Sequence, residues 1–381
     1  MKKIFTILIV ISLISTSVLL SSANVNDYRA PDIQQIKEKQ HYKKIIGIKE
    51  KNEFDTYVNT LNKSELILTI AEFADELEKA NDPTSMTMFA DVTRNKLINE
   101  LTESDYISFV ENKDYSDLFK TYMIDCYSYS KHKSNKKNTD KFDNSLRTIV
   151  KDSSENQKLR FYALASMDNL DNNDIDMLKE IIDSKEQNEI LKARSLKELK
   201  KINEQETYPI IKQIIKGHKK YSDKEVGMSI DLLTRTSSSV ISELDGEDHR
   251  VDIIENFIKE SNNYITINSS IRSLGNIKTQ NSVKAVINNR EKVQENSVIA
   301  YYINKNYLTV EKMLEITNDI ETIKVGLECV DIAPFKSFMP KLEILANNCS
   351  DEEVKNQAKN LITKVNEHSY ERNIKWDEDY N

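Results

Sequence analysis

Between Ile267 and Asn289 the chain reads INSSIRSLGNIKTQNSVKAVINN: an apolar stripe, one glycine, a short polar break and a second apolar stripe. Ile267, Ile271, Leu274 and Ile277 recur at helical spacing, and so do Val283, Val286 and Ile287, so both stripes predict short amphipathic helices. Gly275 closes the first, where a chain leaving a helix needs either φ > 0 or a close backbone approach. Two short helices cannot bury two apolar faces against each other alone. Such a unit has to stack on neighbours of its own kind.

The neighbours are legible from Met167 onward. Aligned on a central apolar residue, first helices fall at Met167, Leu199, Leu233, Leu274, Ile303, Val330 and Leu361, at intervals of about 32 residues. Second helices are predicted between them, at Ile175–Ile182, Ile210–Ile215, Val251–Ile258, Val283–Ile287, Val310–Ile316 and Phe338–Leu345. Composition agrees, because the 381 residues contain only six glycines and five prolines. Pro31, Pro83, Pro209, Pro334 and Pro340 are all expected at helix starts or connectors.

Upstream, helical stripes run through Ile33–Ile46, Glu53–Leu61 and Ser64–Ala80. The aromatic series Tyr106, Phe109, Tyr115, Phe119, Tyr122, Tyr127 and Tyr129 follows and is expected to be core. Lys131–Asn138 is non-periodic and expected to be an exposed loop. The N-terminus combines Met1-Lys2-Lys3, an apolar run from Ile4 to Leu20 and the small-residue exit Ser21-Ser22-Ala23, which reads as a secretory signal peptide. The expected organisation is therefore a signal peptide (1–23), an irregular helical region (24–155), a repeat array (156–367) and a polar tail (368–381). A separate N-terminal bundle is the rival to a continuous array.

The first-helix pattern, with a small residue before the central leucine and a polar turn into a Val- or Ile-rich second helix, resembles HEAT and armadillo-type α-solenoids. Ser269–Ile287 and Lys192–Ile202 carry the resemblance best, although the recurrent Asp and Arg of such hairpins are mostly missing. The resemblance implies an all-α, right-handed α-α superhelix of stacked helical hairpins and a habit of protein binding. It implies no catalytic residues.

Chemistry leaves little trace in the sequence. Acidic residues outnumber basic ones, 62 to 54, which argues against a nucleic-acid partner. Cys126, Cys329 and Cys349 are too few for a disulfide framework and are expected to be buried thiols, with a Cys329–Cys349 bridge as the alternative. The acidic run Glu243–His249, ELDGEDH, departs from the order of a calcium loop and is expected to be a polar loop, with no metal and no cofactor. On the second helices, Lys212, Lys216 and Lys220, then Lys284 and Arg290, predict a basic patch in an acidic protein. The functional expectation is an exported scaffold, in the periplasm, at the cell surface or outside the cell. It would bind a protein or envelope component through its concave face, with no stable membrane insertion once the signal is removed. The rival is a helical hydrolase or lyase acting on cell-envelope polymer, its site assembled from distant repeats.

Overall fold

The computed structural model describes residues 33–45, 48, 51–80, 83–293 and 296–368. Among them the protein is all-α, with no β-strand and no helix long and apolar enough to cross a membrane. The stretch expected to be a signal peptide, Pro31 and the tail beyond His368 lie outside the described residues. Two compact units meet in the sequence between Asn169 and Leu170.

The first unit contains α1 (Ile33–Glu38), α2 (Gln40–Ile45), α3 (Lys51–Thr60), α4 (Lys63–Lys79), α5 (Pro83–Glu100), α6 (Glu103–Glu111), α7 (Asp117–Lys133), α8 (Asp140–Lys151) and α9 (Gln157–Ser166). Where one helix was expected over Ile33–Ile46, Lys39 adopts a left-handed φ of 55° and divides it into α1 and α2. Helix α4 starts on a capping box: Asn62 accepts the Glu65 N–H while Glu65 accepts the Asn62 N–H. Its stripe, including Leu66, Ile67, Ile70 and Ala74, is fully buried, and α4 packs on α1, α2, α5 and α7. Of the aromatic series, all but Tyr129 are buried. Phe109, Tyr115 and Phe119 form a cluster of ring contacts 4.7–6.0 Å between centroids. Lys131, His132 and Lys133 turn out to be the last turn of α7, so the expected loop is shorter. Its far end is buried too: Asn138 donates from Nδ2 to Asp143 Oδ1 (3.0 Å) and to the Ser166 carbonyl (2.6 Å). Asp143 also accepts the Asp168 and Asn169 N–H groups, tying the start of α8 to the chain leaving α9. With α9 packed on both α7 and α8, the unit extends past the expected boundary at 155.

The second unit continues with α10 (Ile175–Asp183), α11 (Glu189–Ile202), α12 (Glu204–Lys216), α13 (Asp223–Thr234), α14 (Ser238–Asp245), α15 (Arg250–Glu260), α16 (Tyr264–Leu274), α17 (Gln280–Asn288), α18 (Asn296–Lys305), α19 (Tyr307–Met313), α20 (Ile320–Ile332), α21 (Met339–Asn348) and α22 (Glu352–His368). Helices α11, α13, α16, α18, α20 and α22 form one row, each packed on the next; α12, α15, α17 and α19 form the second. Of the seven predicted central residues, Leu199, Leu233, Leu274, Ile303, Val330 and Leu361 lie on first-row helices and are buried, whereas Met167, also buried, is not on a first-row helix but caps the end of α9 in the first unit. The fold is thus a helical-repeat stack, in which a stripe reaches full burial only between two neighbours.

Two local expectations are corrected, and at Gly275 the second of the two alternatives holds: its φ is an ordinary helical −58°, and a Cβ there would lie 3.0 Å from the Arg272 carbonyl oxygen and 3.2 Å from both Asn306 Nδ2 and Lys305 Cδ, a close approach. The left-handed residue of this turn is Lys278, at φ 55°. Pro209 sits inside α12, on its exposed side, rather than at a start or connector. The stretch Ser238–Asp245, partly within the expected acidic loop, is helix α14, which packs on α12.

Removing a stripe residue should therefore cost much more than removing an outward apolar one. Leu274→Ala is expected to lower unfolding free energy by about 3 kcal/mol, and Leu308→Ala, at an exposed site, by less than about 0.5 kcal/mol. Urea denaturation followed by circular dichroism checks both.

Candidate binding surface

The second-row helices present one face to solvent, and the five cations expected to form a patch there have separate fates. On α12, Lys212 donates from Nζ to both carboxylate oxygens of Asp245 (2.6 and 2.5 Å) and lies 5.5 Å from the centre of the Tyr208 ring. Tyr208 Oη donates to the same carboxylate at 2.7 Å. These hydrogen bonds, with Lys212 first, hold the Asp245 carboxyl below its usual range. Burial, then Asp245, pushes the Tyr208 phenol up. Arg290, in the turn after α17, is ion-paired with Glu328 of α20. Lys284 is half-buried and acts electrostatically on Asp319, while Lys216 and Lys220 are exposed and have no ion pair among the described residues. Of the five, Lys212 and Arg290 thus pair with carboxylates more than thirty positions away in sequence, 33 and 38 residues respectively.

Other cations are used in a second recurrent way. The last carbonyls of an α-helix lack intrahelical donors, and Lys or Arg side chains supply them. Arg160 donates to the Val150 carbonyl in the last turn of α8 (2.9 Å), and Lys364 to the Asp331 carbonyl near the end of α20 (2.8 Å). Lys292 reaches the Lys259 and Ser261 carbonyls at the end of α15. Arg250 donates to the Thr236 carbonyl after α13 (2.8 Å) and to Asp248, whose carboxyl it holds low. The acidic run is consumed accordingly: Asp245 and Asp248 hold Lys212 and Arg250, and His249 lies 3.3 Å from Glu247 and 3.6 Å from Asp252.

The thiols offer no nucleophile. All three are free and buried; burial pushes Cys126 up to about 12 and Cys329 higher. The Cys329–Cys349 bridge does not form.

Near the C-terminal end of the second row, three apolar side chains are exposed. Leu308 on α19 is 65% exposed, Ile316 just after it 41% and Ile344 on α21 43%. The two helices are adjacent: Tyr307 stacks on Phe338, just before α21, with centroids 4.7 Å apart, Tyr307 Oη donates to the Ser337 carbonyl (3.1 Å), and Lys341 pairs with Glu315 (3.1 Å). Sequence reading missed this trio, because Ile316 and Ile344 fit the same stripes as the buried Val310 and Leu345.

The Lys212–Asp245 pair makes stability pH-dependent with a definite sign. Since the carboxyl is depressed in the folded state, its contribution is present above the unfolded carboxylate range and is lost as pH falls through the folded value. Asp245→Asn is expected to flatten the loss of stability between about pH 5 and pH 2; thermal melts across that range check it.

No family model matches the chain, and no curated protein matches it. One similar chain comes from a solved structure described as "Computational Design of Self-Assembling Cyclic Protein Homooligomers", at 14% identity over 78% of this chain and 94% of that one. The TM-score of 0.14 leaves that likeness without structural weight.

Proposed function

We propose that the protein is an exported HEAT-like scaffold that binds another protein through the solvent face of its second-row helices and carries out no chemistry of its own. The observation that supports this reading is that Leu308, Ile316 and Ile344 are apolar side chains exposed to water on neighbouring elements. A protein partner suits such a face better than a polymer of sugars, because covering the still-exposed part of three aliphatic side chains recovers about half of the roughly 1.5–3 kcal/mol that full burial of each would bring. Export rests on the basic, apolar and small-residue succession of residues 1–23.

Two experiments test the two parts. Capture from the native exported fraction is expected to recover a partner with the unaltered protein and to lose it with Leu308→Asp/Ile344→Asp, at unchanged melting temperature; equal recovery contradicts the proposed face. The exported protein is expected to begin at Asn24, read by N-terminal sequencing, and an intact Met1 contradicts cleavage.

A further inference from the structure

The turn after α7 carries cations that the two uses described above, carboxylate pairing and helix-end capping, do not absorb. From Lys131 to Lys141 the chain reads KHKSNKKNTDK, with five lysines, one histidine and one carboxylate, Asp140, in a protein of net charge −8. Lys133, Lys136, Lys137 and Lys141 are exposed; Lys131 is half-buried, its ammonium 4.8 Å from the centre of the Tyr127 ring. None of the five has an ion pair among the described residues.

Positive charge at a helix C-terminus complements the helix dipole, which accounts for Lys131, His132 and Lys133 but not for the lysines beyond. The donors that this helix end lacks come from the backbone. Asn135, at a left-handed φ of 51°, donates its N–H to the His132 carbonyl (3.0 Å), and Lys136 donates its N–H to the Lys131 carbonyl (2.8 Å). The lysine side chains are therefore not required as caps, unlike Arg160 or Lys364. Asn138 fixes the other end of the turn, its N–H donating to Asp168 (2.9 Å) and its Nδ2 to Asp143 and the Ser166 carbonyl. The backbone is thus pinned on both sides of Lys136 and Lys137 while their side chains stay in solvent. Carboxylates of the surrounding elements are engaged: Asp125 by Arg94 at 2.6 Å, Glu103 by Tyr127 Oη and Thr139 Oγ1, and Asp168 by Asn138. Asp140 is exposed in the first turn of α8, where the helix N-terminus favours negative charge. One helical turn before Lys133, Tyr129 is 40% exposed, with the Arg94 guanidinium 4.9 Å from its ring centre.

We propose that the turn Lys131–Lys137, together with Tyr129, docks the protein on the surface of an anionic phospholipid bilayer. Lysines on long flexible stems reach lipid phosphates without needing a preformed pocket, and their attraction adds up charge by charge. A soluble anionic polymer would answer the charges alone. The exposed ring beside them favours a bilayer, where tyrosine sets its apolar body and its hydroxyl at headgroup level.

The test is co-sedimentation of the full chain with vesicles of phosphatidylcholine alone and of phosphatidylcholine mixed with an equal part of phosphatidylglycerol. Any contribution from the apolar run Ile4–Leu20 is common to both lipids and to every variant, so the increment on the anionic vesicles is the quantity read. That increment is expected to vanish as salt rises from about 0.1 M to about 1 M, which shortens the screening length from about 10 Å to about 3 Å. Lys133→Gln/Lys136→Gln/Lys137→Gln, at exposed sites and with unchanged melting temperature, is expected to weaken anionic binding roughly a hundredfold, about fivefold per charge. Lys216→Gln/Lys219→Gln/Lys220→Gln, the same change of charge in the second unit, should leave it unaltered. Equal sedimentation on the two lipids, or anionic binding that the first triple variant leaves unchanged, overturns the proposal. Retention on heparin without sedimentation on anionic vesicles also overturns it and assigns the turn to a soluble polyanion. None of these variants touches Leu308, Ile316 or Ile344, so failure here is separable from failure of the proposed protein-binding face.

Discussion

The structure depends on a geometrical deficit: a short amphipathic helix exposes too wide an apolar stripe for its hairpin partner alone to cover. In the second unit that deficit is met twice, by the hairpin partner in the other row and by the adjacent helix in the same row. Leu199, Leu233, Leu274, Ile303 and Val330 occupy equivalent places at these junctions, and their full burial follows from having neighbours on both sides. Since each helix contacts only near neighbours, stability builds up along the stack as a series of local interfaces rather than from one central core.

The same stacking organises the charges. Packing helix ends against one another brings unsatisfied carbonyls next to side chains from later in the chain, and Arg160, Arg250, Lys292 and Lys364 supply the missing donors. A cation held by carbonyls or by a carboxylate of another helix is part of the fold, as Lys212 is with Asp245. One that faces solvent beside others of its own sign, as Lys136 does, remains available for recognition. The distinction separates residues of one type by their surroundings, which composition and spacing do not contain.

Much of the architecture was legible because burial follows periodicity. The 3.6-residue stripes placed the helices of both rows, and the recurrence of the central residues placed them in register. What escaped depended on tertiary partners. Gly275 was recognisable as a constrained position, but only the approach of Lys305 and Asn306 shows why, and nothing local announces that Lys278 takes the left-handed turn. Helix α14 was hidden by the polarity of Glu243–Asp245, since its apolar contribution is little more than the buried Ile241. The pairing of Lys212 and Arg290 escaped for the same reason: the acids that engage them belong to elements further along the chain.

The division of lysines into structural and available groups is most directly measured by reductive methylation of the folded protein, read lysine by lysine by peptide mass spectrometry. Lys212 and Lys292, held by Asp245 and by helix-end carbonyls, are predicted to react slowly, and Lys216, Lys220 and Lys278 rapidly. Equal rates across the five would contradict the account, because they would mean that the stack does not sequester the cations it is described as using.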